Sequence, residues 1–237
     1  IWTTTPWTIP ANQYISVNPK FTYVWVHNPD ADEYYLMNKE LAPVALADCG
    51  IENYEFAGRE MTGAEWEMAE FMHPWASYNR TVYVLEGNHV TLDAGTGCVH
   101  TAPGHGVDDF EVHKKYENEG KLKQEVICPV DDKGRMTAEA GSFLEGKTVW
   151  EAEGPSISAL AHEGMLLGKK SLHHQYAHCW RCKNPVIYRA TEQWFASIND
   201  FREDALKAVD ETRFIPSWGH DRLYNMIRDR QDWCISR

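Results

Sequence analysis

Short apolar runs broken by turn residues dominate the first half of the chain. Phe21-Thr22-Tyr23-Val24-Trp25-Val26 and Glu33-Tyr34-Tyr35-Leu36-Met37 predict two strands joined by an Asn28-Pro29-Asp30 turn, a hairpin. Asn38 then caps a short helix through Leu41, Val44, Ala45 and Leu46 to Gly50. Further strands are predicted at 54–56, 81–85, 89–92 and 125–130, the last followed by an Asp131-Asp132-Lys133-Gly134 turn. A helix begins at Asp108-Asp109-Phe110 and runs unbroken to Gly120, and a second runs from about 151 to 162, with Pro155 in its first turn or marking a later start. The opening stretch, residues 3–12, contains Pro6, Pro10 and four threonines, which exclude a helix interior and predict an extended segment running into a turn.

From Met165 the character changes to a basic, histidine-rich connector, then Cys179-Trp180-Arg181-Cys182-Lys183, then a predicted strand at 186–189. A boundary falls near Leu172. Two helical segments, at about 200–211 and 220–230, form the tail. The fold class is therefore mixed α/β and β-rich: a β-barrel-like domain with a few flanking helices, a short zinc-ribbon-like connector, and a helical tail.

A length of 237 residues with 43% hydrophobic and 12% aromatic residues gives an ordinary globular core. No run approaches the roughly 18 apolar residues of a membrane span, and the first residues lack a basic, apolar signal segment. A soluble, cytoplasmic monomer without membrane contact is expected. The missing start methionine points to a piece of a longer chain. The net charge of −12 argues against a general nucleic-acid coat; the late patch of Lys169, Lys170, Arg181, Lys183 and Arg189, interleaved with His173, His174, His178, Tyr176 and Trp180, fits contact with a nucleic acid and a solvated face equally well. Six scattered cysteines do not make a disulfide framework, so the compartment is expected to be reducing.

The densest chemistry lies in Gly95-Thr96-Gly97-Cys98-Val99-His100-Thr101-Ala102-Pro103-Gly104-His105-Gly106-Val107-Asp108-Asp109, where glycines permit close backbone approach and titratable groups crowd together. His100, His105, Asp108, Asp109 and His113 are candidates for acid–base work, or for holding a metal, although their spacing matches no common zinc pattern. One of the aspartates can equally be a helix cap. No Gly-x-Ser-x-Gly elbow and no Walker loop occurs. Cys179-x2-Cys182 is half of a four-ligand zinc site.

Trp2-Thr3-Thr4-Thr5-Pro6-Trp7-Thr8-Ile9-Pro10-Ala11-Asn12 and the Gly95–Gly106 loop closely resemble the editing insertion of isoleucyl-tRNA synthetases. His178-Cys179-Trp180-Arg181-Cys182-Lys183, Arg189-Ala190-Thr191-Glu192-Gln193-Trp194-Phe195 and Trp233-Cys234-Ile235-Ser236-Arg237 resemble the return into the catalytic domain of the same enzymes, so the resemblance covers the whole chain. It implies an editing domain over 1–172, a return connector with the half zinc site over 173–193, and a partial catalytic-domain segment over 194–237. The implied activity is post-transfer editing, the deacylation of valyl-tRNA(Ile). Neither synthetic signature, His-Ile-Gly-His or Lys-Met-Ser-Lys-Ser, occurs, so synthesis of aminoacyl-tRNA is not expected.

The resemblance also assigns roles. Asp109, Thr4 and Asn12 are the catalytic residues, and His100, Thr3, Thr5, Thr8 and again Asp109 are substrate-binding. Asp109 grips the substrate's α-ammonium, His100 walls off larger side chains, and the threonines with Asn12 line the pocket. No cofactor is needed for editing; zinc on Cys179 and Cys182 belongs to a parent enzyme that supplies the other ligands. Partners are the acceptor end of tRNA(Ile) carrying valine and the rest of the synthetase. Two other classes remain: a metal-dependent hydrolase using the His/Asp loop, and an inactive tRNA-binding module.

Overall fold

A computed structural model describes residues 1–173, 175–230 and 232–236. His174 of the basic patch and Arg237 of the last quoted motif lie outside the described residues. The chain divides into two compact units, Ile1–Ala190 and Thr191–Arg237.

The first unit is built on two open sheets. β1 (Tyr14–Val17) is central in one of them, parallel to β6 (Thr81–Glu86) and antiparallel to β7 (Val99–Thr101), and β5 (Glu70–Met72) closes the far edge in the order β5-β6-β1-β7. The other is the predicted hairpin, β2 (Thr22–Asn28) and β3 (Glu33–Asn38), with β4 (Glu55–Thr62) added to β2 in the order β3-β2-β4. The expected barrel is not formed. Both sheets end in edge strands that pair with no further strand among the described residues, and closure requires those edges to meet.

Helices cover the sheets where apolar faces demand it. Asn38 accepts the N–H groups of Glu40 and Leu41, starting the chain into α1 (Ala42–Asp48), whose Ala42 and Leu46 pack on Val24, Val26 and Met37. α2 (Val107–Asn118) lays Val112 and Tyr116 on Tyr14 and Leu85. α3 (Val149–His162) starts earlier than predicted because Thr148 and Glu151 form a reciprocal cap. Pro155 consequently sits in the helix interior, where its ring removes the hydrogen bond to the Glu151 carbonyl.

Four expectations fail for stated reasons. Residues 6–11 form a 3-10 helix, Pro6–Ala11, rather than extended chain. Pro6 occupies its first position, where an N–H is orphaned in any case, and Thr8 and Asn12 supply the N–H groups that close the turns on Thr5 and Ile9. Trp7 and Ile9 of this helix are buried with Trp75, Leu144 and Val149 in the largest core cluster. Residues 125–130 make no strand. The Gln13 amide supplies the missing edge, donating to Glu125 O at 2.8 Å and accepting Ile127 N–H at 2.9 Å. Residues 89–92 form a turn, in which Val90 N–H bonds Gly87 O and Val90 O receives Asn18 Nδ2. Residues 186–189 run as an irregular strap with no strand partner among the described residues, tied by Val186 N–H to Ala177 O, His105 Nδ1 to Tyr188 O, Arg189 Nε to Val130 O and the Arg189–Asp132 ion pair.

The second unit holds α4 (Arg202–Asp210), α5 (Trp218–Arg228) and a two-stranded ribbon of β8 (Phe195–Ala196) and β9 (Trp233–Cys234). Arg202 ties the end of α5, donating to Ile227 O and Arg230 O.

Candidate active site

Two segments distant in sequence meet at the edge of the four-stranded sheet. The chain from Trp2 pairs with β7 through Trp2 N–H to Cys98 O and His100 N–H to Trp2 O, which brings the threonine row beside His100. Gly95, with φ of 82°, makes this approach possible: a Cβ there would stand 2.7 Å from the Trp2 ring. Between the segments lies a cavity of about 160 Å³, lined by Trp2, Thr3, Thr4, Thr5, Thr8, Val99, His100 and His105. A more open depression of about 650 Å³ lies on the second unit around Met226 and Trp233. The smaller cavity gathers the hydroxyls and imidazoles, and chemistry rather than size makes it the candidate site.

His100 is held by both ring nitrogens. It lies in β7 opposite Ile15 and is 7% exposed. Asn12 Nδ2 stands 2.8 Å from Nδ1 and also donates to Tyr14 O at 3.0 Å. The Tyr14 carbonyl can only accept, so it fixes the Asn12 amide with its NH2 toward the ring, and Nδ1 of His100 accepts. The remaining proton is then on Nε2, 2.9 Å from Thr8 Oγ1, whose own hydrogen goes to Thr5 O at 2.7 Å. Every donor in the chain Asn12–His100–Thr8–Thr5 has one acceptor. Burial, with His73 and His105 nearby, pushes the imidazole down to about 3, so the ring is neutral. A neutral ring with its lone pair engaged cannot take a proton from water. It is a rigid, packed surface.

The other predicted residues are placed as follows. Thr3 Oγ1 accepts Thr5 N–H at 3.0 Å, and Thr4 is exposed at the mouth of the cavity. Asn12 is 1% exposed and stands behind His100 rather than in the lining. Asp109 also lies outside the lining. It sits in the first turn of α2 but does not cap it. Its Oδ2 accepts Ala102 N–H at 2.8 Å, fastening the loop that follows His100 to the helix, and its Oδ1 takes no protein hydrogen bond among the described residues. Burial raises the Asp109 carboxyl above its ordinary value, opposed by the Ala102 N–H and by His89. Asp108 is exposed.

His105 lines the cavity with its Nδ1 bonded to Tyr188 O at 3.0 Å, and His113 is turned away into the core against the Tyr14 hydroxyl. The loop histidines and aspartates are thus dispersed. Among the described residues no three His, Cys, Asp or Glu side chains are grouped to hold a metal ion. Cys179 and Cys182 share one turn, and backbone N–H groups of Cys182 and Arg181 lower the Cys179 thiol. They present two ligands, half of what a structural zinc takes.

His73 and Arg80 were not singled out in the sequence, yet both reach the segment that carries the site, His73 through Ile9 O and Arg80 through Pro10 O and Asn12 O. No local motif marks them. Their partners are backbone carbonyls, which leave no trace in side-chain spacing.

Residues 34–237 match the family model described as tRNA synthetases class I (I, L, M and V). The chain belongs to this family. Among class I relatives it is similar to the isoleucine–tRNA ligases of Syntrophomonas wolfei, at 52% identity, and Moorella thermoacetica, at 48%, over all 237 residues in each case. Those 237 residues are 24% of each relative, so the chain spans about a quarter of their length. The solved structure described as the crystal structure of GlLeuRS-CP1 is similar in fold, with a TM-score of 0.57 and 16% identity over 71% of this chain and 82% of that one. The family model begins after the threonine row, whereas both ligases align through it. Among the described residues no helix of this class I chain is long and apolar enough to cross a membrane.

Proposed function

We propose that the first unit of this class I synthetase chain is an editing site that hydrolyses the ester of valyl-tRNA(Ile), with the acceptor end of tRNA(Ile) as its partner. The observation that carries the reading is His100, neutral and bonded through both nitrogens, forming the wall of a cavity that it shares with four threonines, Trp2, Val99 and His105. A cavity of about 160 Å³ is well below the ~300–1,000 Å³ of sites for larger ligands and suits one small side chain.

Chemistry follows from these roles. An aminoacyl ester is already activated, so hydrolysis rests chiefly on positioning and on donors for the developing oxyanion. Thr3, Thr4 and Thr5 line the cavity, Thr4 at its exposed side, and their hydroxyls are where the ester and an attacking water meet. The free Oδ1 of Asp109 accepts the α-ammonium, and neutral His100 does not repel that cation. Valine enters; isoleucine, longer by one methylene, meets the wall. Preference alone would gain about 1–3 kcal/mol from a methylene, a general magnitude for which isoleucine–tRNA ligases are themselves the standard illustration. A steric clash achieves more.

The test is deacylation by the full-length protein of valyl-tRNA(Ile) and isoleucyl-tRNA(Ile). The reading expects the valyl ester to be cleaved at least roughly tenfold faster, the order a single methylene contact permits. Equal rates, or none above the spontaneous rate, would reject it.

A further inference from the structure

The segment that carries the threonine row ends in carbonyls short of helical partners, as every short helix does. Here two side chains from one connection, residues 73–80 between β5 and β6, take up Pro10 O and Asn12 O and add a second bond to Ile9 O, which already accepts Asn12 N–H. Arg80 Nη1 donates to Pro10 O at 2.9 Å and to Asn12 O at 2.8 Å. His73 Nε2 donates to Ile9 O at 2.9 Å, its tautomer fixed because Nδ1 accepts Trp75 N–H at 3.1 Å. The two clampers are themselves joined, His73 N–H to Arg80 O at 2.9 Å. His73 is 3% exposed, and the Arg80 guanidinium lies against the Tyr78 ring at 5.3 Å. Burial lowers Arg80, and the carbonyls it binds compensate the desolvated cation.

What this clamp holds is the main chain of Asn12. The Asn12 side chain is the group that orients His100 through Nδ1, so a line of single hydrogen bonds runs from Arg80 to Asn12 O, through the Asn12 amide, to the wall of the cavity. Neither Arg80 nor His73 lines the cavity. We propose that Arg80, supported by His73, is a positioning residue for selectivity: by fixing Asn12 it fixes His100, and so determines which side chains the cavity refuses. The inference rests on the editing reading and adds to it a control point outside the pocket.

Loosening the clamp has a distinctive consequence. A variant that merely unfolds a fraction of the molecules lowers both deacylation rates together and leaves their ratio unchanged. A variant that lets His100 yield raises hydrolysis of isoleucyl-tRNA(Ile) relative to valyl-tRNA(Ile). The ratio of the two rates therefore separates positioning from stability. Misplacement by about 1 Å can cost on the order of a hundredfold, so a loss of selectivity of roughly tenfold is within reach of a lost carbonyl bond.

The experiment measures both rates in the full-length protein for the parent, Arg80→Lys, Arg80→Met and the core control Leu46→Ala. Leu46 is fully buried with Val24 and Val26 at the other sheet, apart from the cluster that holds Trp7 and Ile9, and does not line the cavity. The expected result is an isoleucyl-to-valyl ratio raised about tenfold in Arg80→Met, raised less in Arg80→Lys, which keeps a charge and one donor direction, and unchanged in Leu46→Ala. If the parent discriminates and both Arg80 variants keep its ratio, the clamp is refuted while the editing reading stands. If Leu46→Ala shifts the ratio as far as Arg80→Met, selectivity follows general stability and the clamp is also refuted. If the parent cleaves both esters equally, the editing reading falls and the inference with it.

Discussion

Asp109 illustrates how one side chain can serve structure and chemistry with different atoms. Oδ2 fastens Ala102, and Oδ1, which takes no protein hydrogen bond among the described residues, is the atom the editing proposal gives to the substrate's ammonium. The two roles can be separated. Asp109→Asn keeps an acceptor for the Ala102 N–H and loses the charge, so it is expected to keep the fold and to lose editing by about 10²-fold, whereas Asp109→Ala loses both. Asp108→Ala, at an exposed position, should cost little. Rates of valyl-tRNA(Ile) deacylation with thermal midpoints for the three variants give the answer. Full activity in Asp109→Asn would leave Asp109 as a loop fastener alone. At this scale the sequence was informative about residue types and silent about partners. The Gly95–Asp109 loop announces itself by composition, but that Asn12 stands behind His100, and that Thr8 rather than water meets Nε2, depends on a β7 pairing no local pattern encodes.

Among the elements, those with strong local determinants were legible. The β2–β3 hairpin and α2 follow from strand-forming runs, a turn and an acidic first turn. Elements whose hydrogen bonds come from distant side chains were not: the strand expected at 125–130 is replaced by the Gln13 amide, and the 3-10 turns of the opening segment are fastened at their end by His73 and Arg80. The Cys179–Cys182 turn belongs to this scale too. With two thiols on one turn, the 237-residue chain is expected to retain well under one zinc per molecule after dialysis, by elemental analysis. Stoichiometric zinc lost in Cys179→Ser would contradict this.

For the whole molecule, the buried imidazoles couple stability to pH. His100 is pushed down to about 3 and His73 to about 4, both by burial first, against about 6.5 in the unfolded chain. Between these values the unfolded state binds more protons, so stability is fully present above about pH 6.5 and is lost as pH falls toward 4. From pH 7 to pH 5 the loss is about 2 kcal/mol per histidine, readable as a lower urea midpoint. An unchanged midpoint would show that these imidazoles are not buried neutral. The chain thus reads as two units of a class I synthetase, the first carrying a cavity whose wall is a neutral histidine held by its neighbours. That wall is the central claim, and the direct measurement is the deacylation of valyl-tRNA(Ile) and isoleucyl-tRNA(Ile) by the full-length protein with His100→Ala. The wall predicts that valyl hydrolysis is largely kept while isoleucyl hydrolysis rises toward it; loss of both activities would make His100 a catalyst and contradict the account.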